Sequence, residues 1–283
     1  MKMILGRYPP RYTARLSDDF PRIVEGLNYR GVRYAPVVDS QGRYAGLIRL
    51  PAVMRVIHEY YTRGCLEELC KVRASELTDS RVPSINVEAI TPSKVVELMV
   101  KHDVGGIAIT SKNGYVMGEV TEKELIDLAP VANISGVKIK DLMTPNPATV
   151  EALDPISKVL EVMCRLSVRR VPVTYEGELV GITTVRDLIR FFNRIIEEKG
   201  GIAKEDVETQ TWHVATPRVS IVNEEDDVSK LIKIMRIEGI GGAIVVDDEK
   251  KVVGIVTERD VLSRIPGVRE KLDKAAESVC RSM

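Results

Sequence analysis

One short stretch recurs four times along this chain, and its spacing limits the architectures open to it. Gly181 to Asp187 reads GITTVRD, Gly254 to Asp260 reads GIVTERD, and Gly118 to Glu124 reads GEVTEKE. A fourth copy, GLIRLPA from Gly46 to Ala52, keeps the glycine and the apolar positions but loses the rest. The glycines stand at 46, 118, 181 and 254, so successive spacings are 72, 63 and 73, while alternate copies lie 135 and 136 apart. A near-constant long period with unequal short ones indicates that the repeats come in pairs and that the pair itself was duplicated.

Repeat three shows the unit most clearly. Thr149–Val150 ends a short extended segment, and Asp154–Pro155 reads as a helix start, a side-chain cap followed by proline at the first helical position. Val159, Val162, Met163 and Leu166 recur at three- and four-residue spacing, which predicts an amphipathic helix. Arg169 to Thr174 and Leu179 to Thr183 predict two strands joined by the Glu176-Gly177-Glu178 turn. Thr184 then starts a second helix, expected to run to about Ile195. The unit is therefore strand, helix, strand, strand, helix.

The other copies keep this layout. Ser93-Lys94, Ser157-Lys158 and Ser229-Lys230 each precede a methionine, Met99, Met163 and Met235, by the same interval, and Leu27 fills that slot in repeat one. Odd repeats carry arginine before the strand proline (Arg33; Arg169 and Arg170), whereas even repeats carry Gly105-Gly106 and Gly241-Gly242. The repeats fall at 1–62, 72–130, 138–196 and 212–265, followed by a charged tail helix over 266–283. Linkers are expected near 63–75, 130–140 and 197–211, where the apolar period lapses. One such unit is too small to bury its own sheet face, so units must pack in pairs. The fold class is α/β, of the α+β kind.

Composition excludes several functions. Lys+Arg and Asp+Glu both number 41, which argues against general nucleic-acid binding through a cationic surface. Four cysteines and three histidines show no metal-ligand spacing. No segment approaches the ~20 apolar residues of a membrane span, and the first residues lack a signal-peptide pattern, so a cytoplasmic protein is expected. Only two glutamines beside 29% charged residues hint at a thermophilic source. No serine elbow, Walker loop or dinucleotide glycine motif appears, and no nucleophile and base recur together, so no catalytic residues are assigned.

The Thr-x-x-acid ending has an ordinary role as a capping box, in which the hydroxyl meets a backbone N–H one turn in and the acid reaches back. Thr121/Glu124, Thr184/Asp187 and Thr257/Asp260 all fit it. The same groups suit a nucleotide. A helix N-terminus attracts phosphate, a threonine hydroxyl can donate to it, and an acid one turn on can accept from ribose hydroxyls. Arg169 and Arg170 on the preceding strand would add cationic donors.

Taken together, the recurrent Thr-x-x-Asp ending, the Arg170-Val171-Pro172-Val173 strand and the Met143-Thr144-Pro145 lead-in resemble cystathionine-β-synthase (CBS) domains, over about Phe20 to Ile265. The resemblance implies four CBS motifs in two Bateman modules, which close on each other within one chain or pair between chains as a homodimer. A four-motif chain without a catalytic domain is similar to the gamma subunit of the AMP-activated protein kinase. It implies binding of AMP, ADP or ATP and control of a partner such as a kinase, enzyme or transporter. By that resemblance Thr184 and Thr257 would meet phosphate, Asp187 and Asp260 would hold ribose, and Arg169 would be a phosphate ligand. Thr121 fits too, with Glu124 in place of aspartate. Repeat one departs most, with Arg49 for threonine and Ala52 for aspartate; it is expected to bind no nucleotide, or an anion through Arg33 and Arg49. Rival readings are a regulator that senses S-adenosylmethionine or another adenosyl compound, and an interaction scaffold with vestigial sites.

Overall fold

The computed structural model describes residues 5–247, 249 and 251–282. All four repeats adopt the strand-helix-strand-strand-helix order. Repeat one comprises β1 (Ala14–Arg15), α1 (Phe20–Tyr29), β2 (Tyr34–Val38), β3 (Tyr44–Arg49) and α2 (Leu50–Arg63), followed by a short α3 (Ala74–Leu77). Repeat two comprises β4 (Ile85–Asn86), α4 (Pro92–Lys101), β5 (Gly106–Thr110), β6 (Val116–Thr121) and α5 (Glu122–Leu128). A two-residue strand, β7 (Thr144–Pro145), leads into repeat three: β8 (Val150–Glu151), α6 (Ile156–Leu166), β9 (Arg170–Tyr175), β10 (Glu178–Thr184) and α7 (Val185–Lys199). After α8 (Lys204–Val207), repeat four comprises β11 (Ile221–Asn223), α9 (Val228–Glu238), β12 (Gly242–Val246), β13 (Val252–Thr257) and α10 (Glu258–Arg264), and α11 (Val268–Ser282) forms the expected tail helix.

In every repeat the short first strand pairs in parallel with the middle strand, as in Val150 with Val173 and Ile221 with Ile244. The middle and last strands form an antiparallel hairpin, and each hairpin carries a register irregularity near its turn end. Two local expectations change. Pro155, not Asp154, is the residue before α6, because its backbone is extended (ψ 156°) and bridges to Gln210. Asp154 instead accepts from the Glu151 N–H at 2.9 Å. Helix α7 runs four residues beyond Ile195, its apolar face remaining buried through that point, and stops at Gly200, whose φ of +79° favours glycine.

The backbone forms two compact units that do not follow sequence order. One gathers 11–81 and 148–219, hence repeats one and three; the other gathers 1–10, 82–147 and 220–283, hence repeats two and four. In the first unit α1 packs on α7 and α2 on α6, around Phe20, Ile23, Met54, Leu160 and Phe192, all fully buried. In the second, α5 packs on α10 and α11 packs on α4. Ancestry and packing therefore follow different rules here. The duplication pairs neighbouring repeats, while the helices bury their apolar faces against the alternate copy.

The segments between repeats are ordered connections. A residue in the lead-in to each of repeats two, three and four forms an antiparallel bridge to the residue following a motif glycine: Asp79 to Leu47, Thr144 to Ile255, and Thr216 to Ile182. Arg7 holds the corresponding place against Glu119, with N···O distances of 2.7 and 3.0 Å. These lead-in segments explain the recurrent glycine. A Cβ at Gly46 would meet Thr78 Cγ2 at 2.5 Å and the Asp79 carbonyl oxygen at 2.8 Å, and one at Gly118 would meet the Arg7 carbonyl oxygen at 2.5 Å. At Gly46 and Gly118 the glycine is a steric requirement of the crossing backbone, independent of any ligand.

Candidate functional site

The three intact motifs all place threonine at the junction between the hairpin and the second helix. In repeat three, Thr184 is the N-cap of α7, with its backbone extended. Its N–H donates to Asp187 Oδ2 at 2.9 Å, and its hydroxyl donates to the same oxygen at 2.6 Å. In repeat four, Thr257 makes the same pair of bonds to Asp260 Oδ2, at 2.8 and 2.7 Å. In repeat two, the Thr121 N–H donates to Glu124 Oε2 at 2.8 Å and its hydroxyl donates to the same oxygen. The capping-box function is thus realised in all three. One carboxylate oxygen is consumed by the cap, and the other is left for the surroundings.

Those surroundings differ. Asp187 Oδ1 receives the Thr216 hydroxyl at 3.4 Å and lies 3.6 Å from Arg190. Asp260 Oδ1 lies 3.3 Å from Arg264, which also donates to the Leu142 and Met143 carbonyls and to the Thr144 hydroxyl. Both aspartates are about nine-tenths buried, with side-chain exposures of 10% and 9%. Thr216 and Thr144 are the lead-in threonines: Thr216 meets Asp187 directly, whereas Thr144 meets the arginine that pairs with Asp260. Sequence reading found Thr144 within Met143-Thr144-Pro145 but gave Thr216 no role. The signal was present, since Ala215-Thr216-Pro217 repeats the Thr-Pro pair.

The strand arginines flank the start of α7. Arg170 lies directly opposite Thr184 in the hairpin, and the Arg169 carbonyl accepts from the Val185 N–H at 3.1 Å. The Arg169 guanidinium donates to the Tyr34 hydroxyl at 2.9 Å, joining repeat three to repeat one. At the corresponding place in repeat four, Gly242 faces Thr257, and a Cβ there would approach the Val256 carbonyl oxygen to 2.8 Å. Close packing accounts for that glycine.

Repeat one uses opposite chemistry on the same backbone. Arg49 precedes α2 and provides no side-chain cap. Its guanidinium meets Asp79, the lead-in residue, at 3.3 Å. Arg81 also grips Asp79 through two bonds of 3.0 and 3.1 Å. Hydrogen bonding by Arg81, ahead of the Arg49 charge, holds the Asp79 carboxyl below its ordinary range, against the opposing effect of burial. Arg33 contributes the carbonyl that accepts from the Leu50 N–H at 3.1 Å. Of the two residues expected to attract an anion, Arg49 therefore already carries an internal counter-charge.

The buried seam between the paired second helices also differs between units. In the unit of repeats two and four, Arg259 Nε meets the fully buried Glu122 at 2.7 Å, and its other nitrogens reach Asp103 and the Val104 carbonyl. The matching helix-start positions of repeats one and three are the apolar Leu50 and Val185. No described helix is long and apolar enough to cross a membrane.

The CBS domain profile matches residues 74–130, 139–194 and 212–267, three of the four repeats, and the chain belongs to the CBS domain family. It is similar, at 28% identity over 97% of this chain and 95% of the relative, to a 33.4 kDa protein of a ribosomal RNA operon in Thermofilum pendens. It is also 28% identical to protein MJ1225 of Methanocaldococcus jannaschii, over 60% of this chain and 61% of that protein. The crystal structure of MJ1225, described as a candidate archaeal homologue of g-AMPK, shares the fold with a TM-score of 0.79 and 21% identity, over 91% of this chain and 96% of that one. A conserved protein from Pyrococcus horikoshii matches with a TM-score of 0.60 and 21% identity, over 93% and 98% of the two chains. Repeat one, which lacks the threonine and the acid, lies outside the matched residues yet keeps the fold.

Proposed function

We propose that this chain is a regulatory adenine-nucleotide sensor that takes AMP, ADP or ATP at the helix starts of repeats two, three and four and relays occupancy to a protein partner. Membership of the CBS family supports the regulatory role. The observation that carries the nucleotide reading is the pair of nearly buried aspartates, each at the start of a helix and each with one oxygen outside the capping bond. Thr184 and Thr257 would turn their hydroxyls from the aspartate toward phosphate. Asp187 and Asp260 would accept from ribose hydroxyls, with Glu124 doing so less well in repeat two. Arg169 and Arg170 would supply charge to the phosphate at repeat three, which favours a phosphorylated ligand over S-adenosylmethionine. Ligand that binds one arrangement of the units better than another shifts their populations, and the partner reads that shift.

A thermal melt tests this reading. Ligand at 100 times its dissociation constant should add about 2.7 kcal/mol per site. A rise in Tm with adenine nucleotides that is reduced by Asp187→Ala or Asp260→Ala supports it. No shift with any of the three at millimolar concentration contradicts it and leaves the scaffold reading.

A further inference from the structure

The motif arginine of repeat four reaches across to repeat two. Arg259 lies between Thr257 and Asp260, the capping-box residues of α10. All three of its guanidinium nitrogens meet repeat two. Nε pairs with Glu122 at 2.7 Å, and the other two donate to Asp103 at 3.0 Å and to the Val104 carbonyl at 2.5 Å. Glu122 in turn lies between Thr121 and Glu124, the capping-box residues of α5, and is fully buried. Its N–H donates to the Gly105 carbonyl at 3.0 Å. One ion pair therefore joins the two helix starts of this unit, and each of its members sits inside a capping box.

The unit of repeats one and three builds the same crossing with a different end. Arg186 holds the place of Arg259 and donates to the Gly31 carbonyl at 3.1 Å. Repeat one offers the apolar Leu50 where repeat two has Glu122, and Arg49 provides no side-chain cap. The crossing arginine thus lands on a repeat without a capping box. In the reverse direction, Lys123 is the counterpart of Arg259 in repeat two, and it meets Asp127 of its own helix at 3.2 Å. Burial gives the Glu122–Arg259 pair its stiffness. Separating the partners leaves a charge in the interior without its counter-charge, so a displacement of Arg259 is passed to Glu122 instead of being absorbed by water.

We propose that the Glu122–Arg259 pair couples the helix starts of repeats two and four, and that this coupling is missing between repeats one and three. A change at Asp260 then alters the Thr121–Glu124 box through the pair, and the reverse holds equally, because coupling is reciprocal. The consequence for ligands rests on the nucleotide reading above: occupancy of repeat four alters the affinity of repeat two. A ligand that takes phosphate on Thr257 and ribose on Asp260 loosens the 2.7 Å bond between them, which holds the first turn of α10 around Arg259. The Asp103-Val104-Gly105 corner carries the displacement on, since it meets both Arg259 and Glu122.

The first test needs no ligand. Urea unfolding of the full chain, of Glu124→Ala, of Asp260→Ala and of the double variant forms a thermodynamic cycle. The unfolding constant of the double variant should depart from the product of the single effects by about threefold or more. The departure should vanish when the cycle is repeated with Glu122→Leu and Arg259→Met, which copies the apolar residue of repeat one. The matching cycle in the other unit, Arg49→Ala with Asp187→Ala, should be additive. Additive effects in the first cycle overturn the proposal. So does a departure that persists without the pair, or an equal departure in the other unit. Calorimetric titration of adenine nucleotides reads the ligand consequence. In a chain carrying Asp187→Ala, Glu124→Ala should shift the dissociation constant at repeat four by about fivefold or more, and not when the pair is replaced. Binding with an unshifted constant overturns the proposal. Failure of AMP, ADP and ATP to bind at all contradicts the nucleotide reading instead, and the unfolding cycle then decides the coupling alone.

Discussion

Repeats one and three share a compact unit and a backbone plan but carry opposite chemistry where the hairpin turns into the second helix. In repeat three, an acid on the helix, Asp187, gathers a capping threonine and the lead-in Thr216 hydroxyl. In repeat one the charge is reversed in position: the acid, Asp79, comes from the lead-in, and the residue before the helix is the cation Arg49. Both keep the glycine beside the crossing lead-in, which presses closely on Gly46 and leaves more room at Gly181. The comparison separates two layers of information. Glycine and apolar positions specify the architecture, and the cap residues specify whether an oxygen remains for a ligand.

The largest effect that can break this comparison lies at the glycines. Gly46 has φ of +148° and its added Cβ would clash with Thr78 and Asp79, whereas the nearest atom at Gly181 is the Thr216 carbonyl oxygen at 3.1 Å. Gly46→Ala should cost about 3 kcal/mol and Gly181→Ala about 1 kcal/mol, measured by urea unfolding. Equal costs would mean that the crossing is equally loose in both repeats. Next in size is the Arg49–Asp79 pair, with side chains 23% and 16% exposed. Arg49→Ala should cost about 1–2 kcal/mol by leaving the acid less well satisfied. The double variant Arg49→Thr with Asp79→Thr should recover part of that loss, and a non-additive cycle would confirm the coupling. Asp187→Ala should cost about 1 kcal/mol through the lost cap.

The smallest effect depends on pH. The folded pKa of Asp79 is depressed from 3.8 by Arg81 and then Arg49, so its contribution is complete above that value and is lost as pH falls through the folded one. The unaltered protein should therefore lose stability below about pH 4 more steeply than Asp79→Asn. Parallel acid melts would show that this acid is not specially held.

The repeat order, the hairpins and the three capping boxes were legible in the sequence, because each rests on local patterns with a fixed period. The partner of each repeat was not. Nothing in the spacing of Gly46 and Gly181 distinguishes packing against a neighbour from packing against the alternate copy, since both bury the same apolar faces. The linkers read as lapses because their buried residues sit in short turns: Leu66, Leu69, Ala74 and Leu77, and likewise Ile139 and Leu142, are covered in helical pieces too short to show a sustained period. The Asp79–Arg49 pair was hidden for a related reason. Its two charges are 30 residues apart and meet only when the lead-in crosses the glycine.

The central claim is that adenine nucleotides bind where the threonine and acid survive and not where they are replaced. Calorimetric titration of AMP, ADP and ATP into the full chain, and into the Asp187→Ala, Asp260→Ala double variant, tests it most directly. The account predicts saturable binding to the unaltered protein, with stoichiometry no higher than three and a loss of two sites in the double variant. Binding at four sites, or titration curves left unchanged by the double substitution, would contradict it.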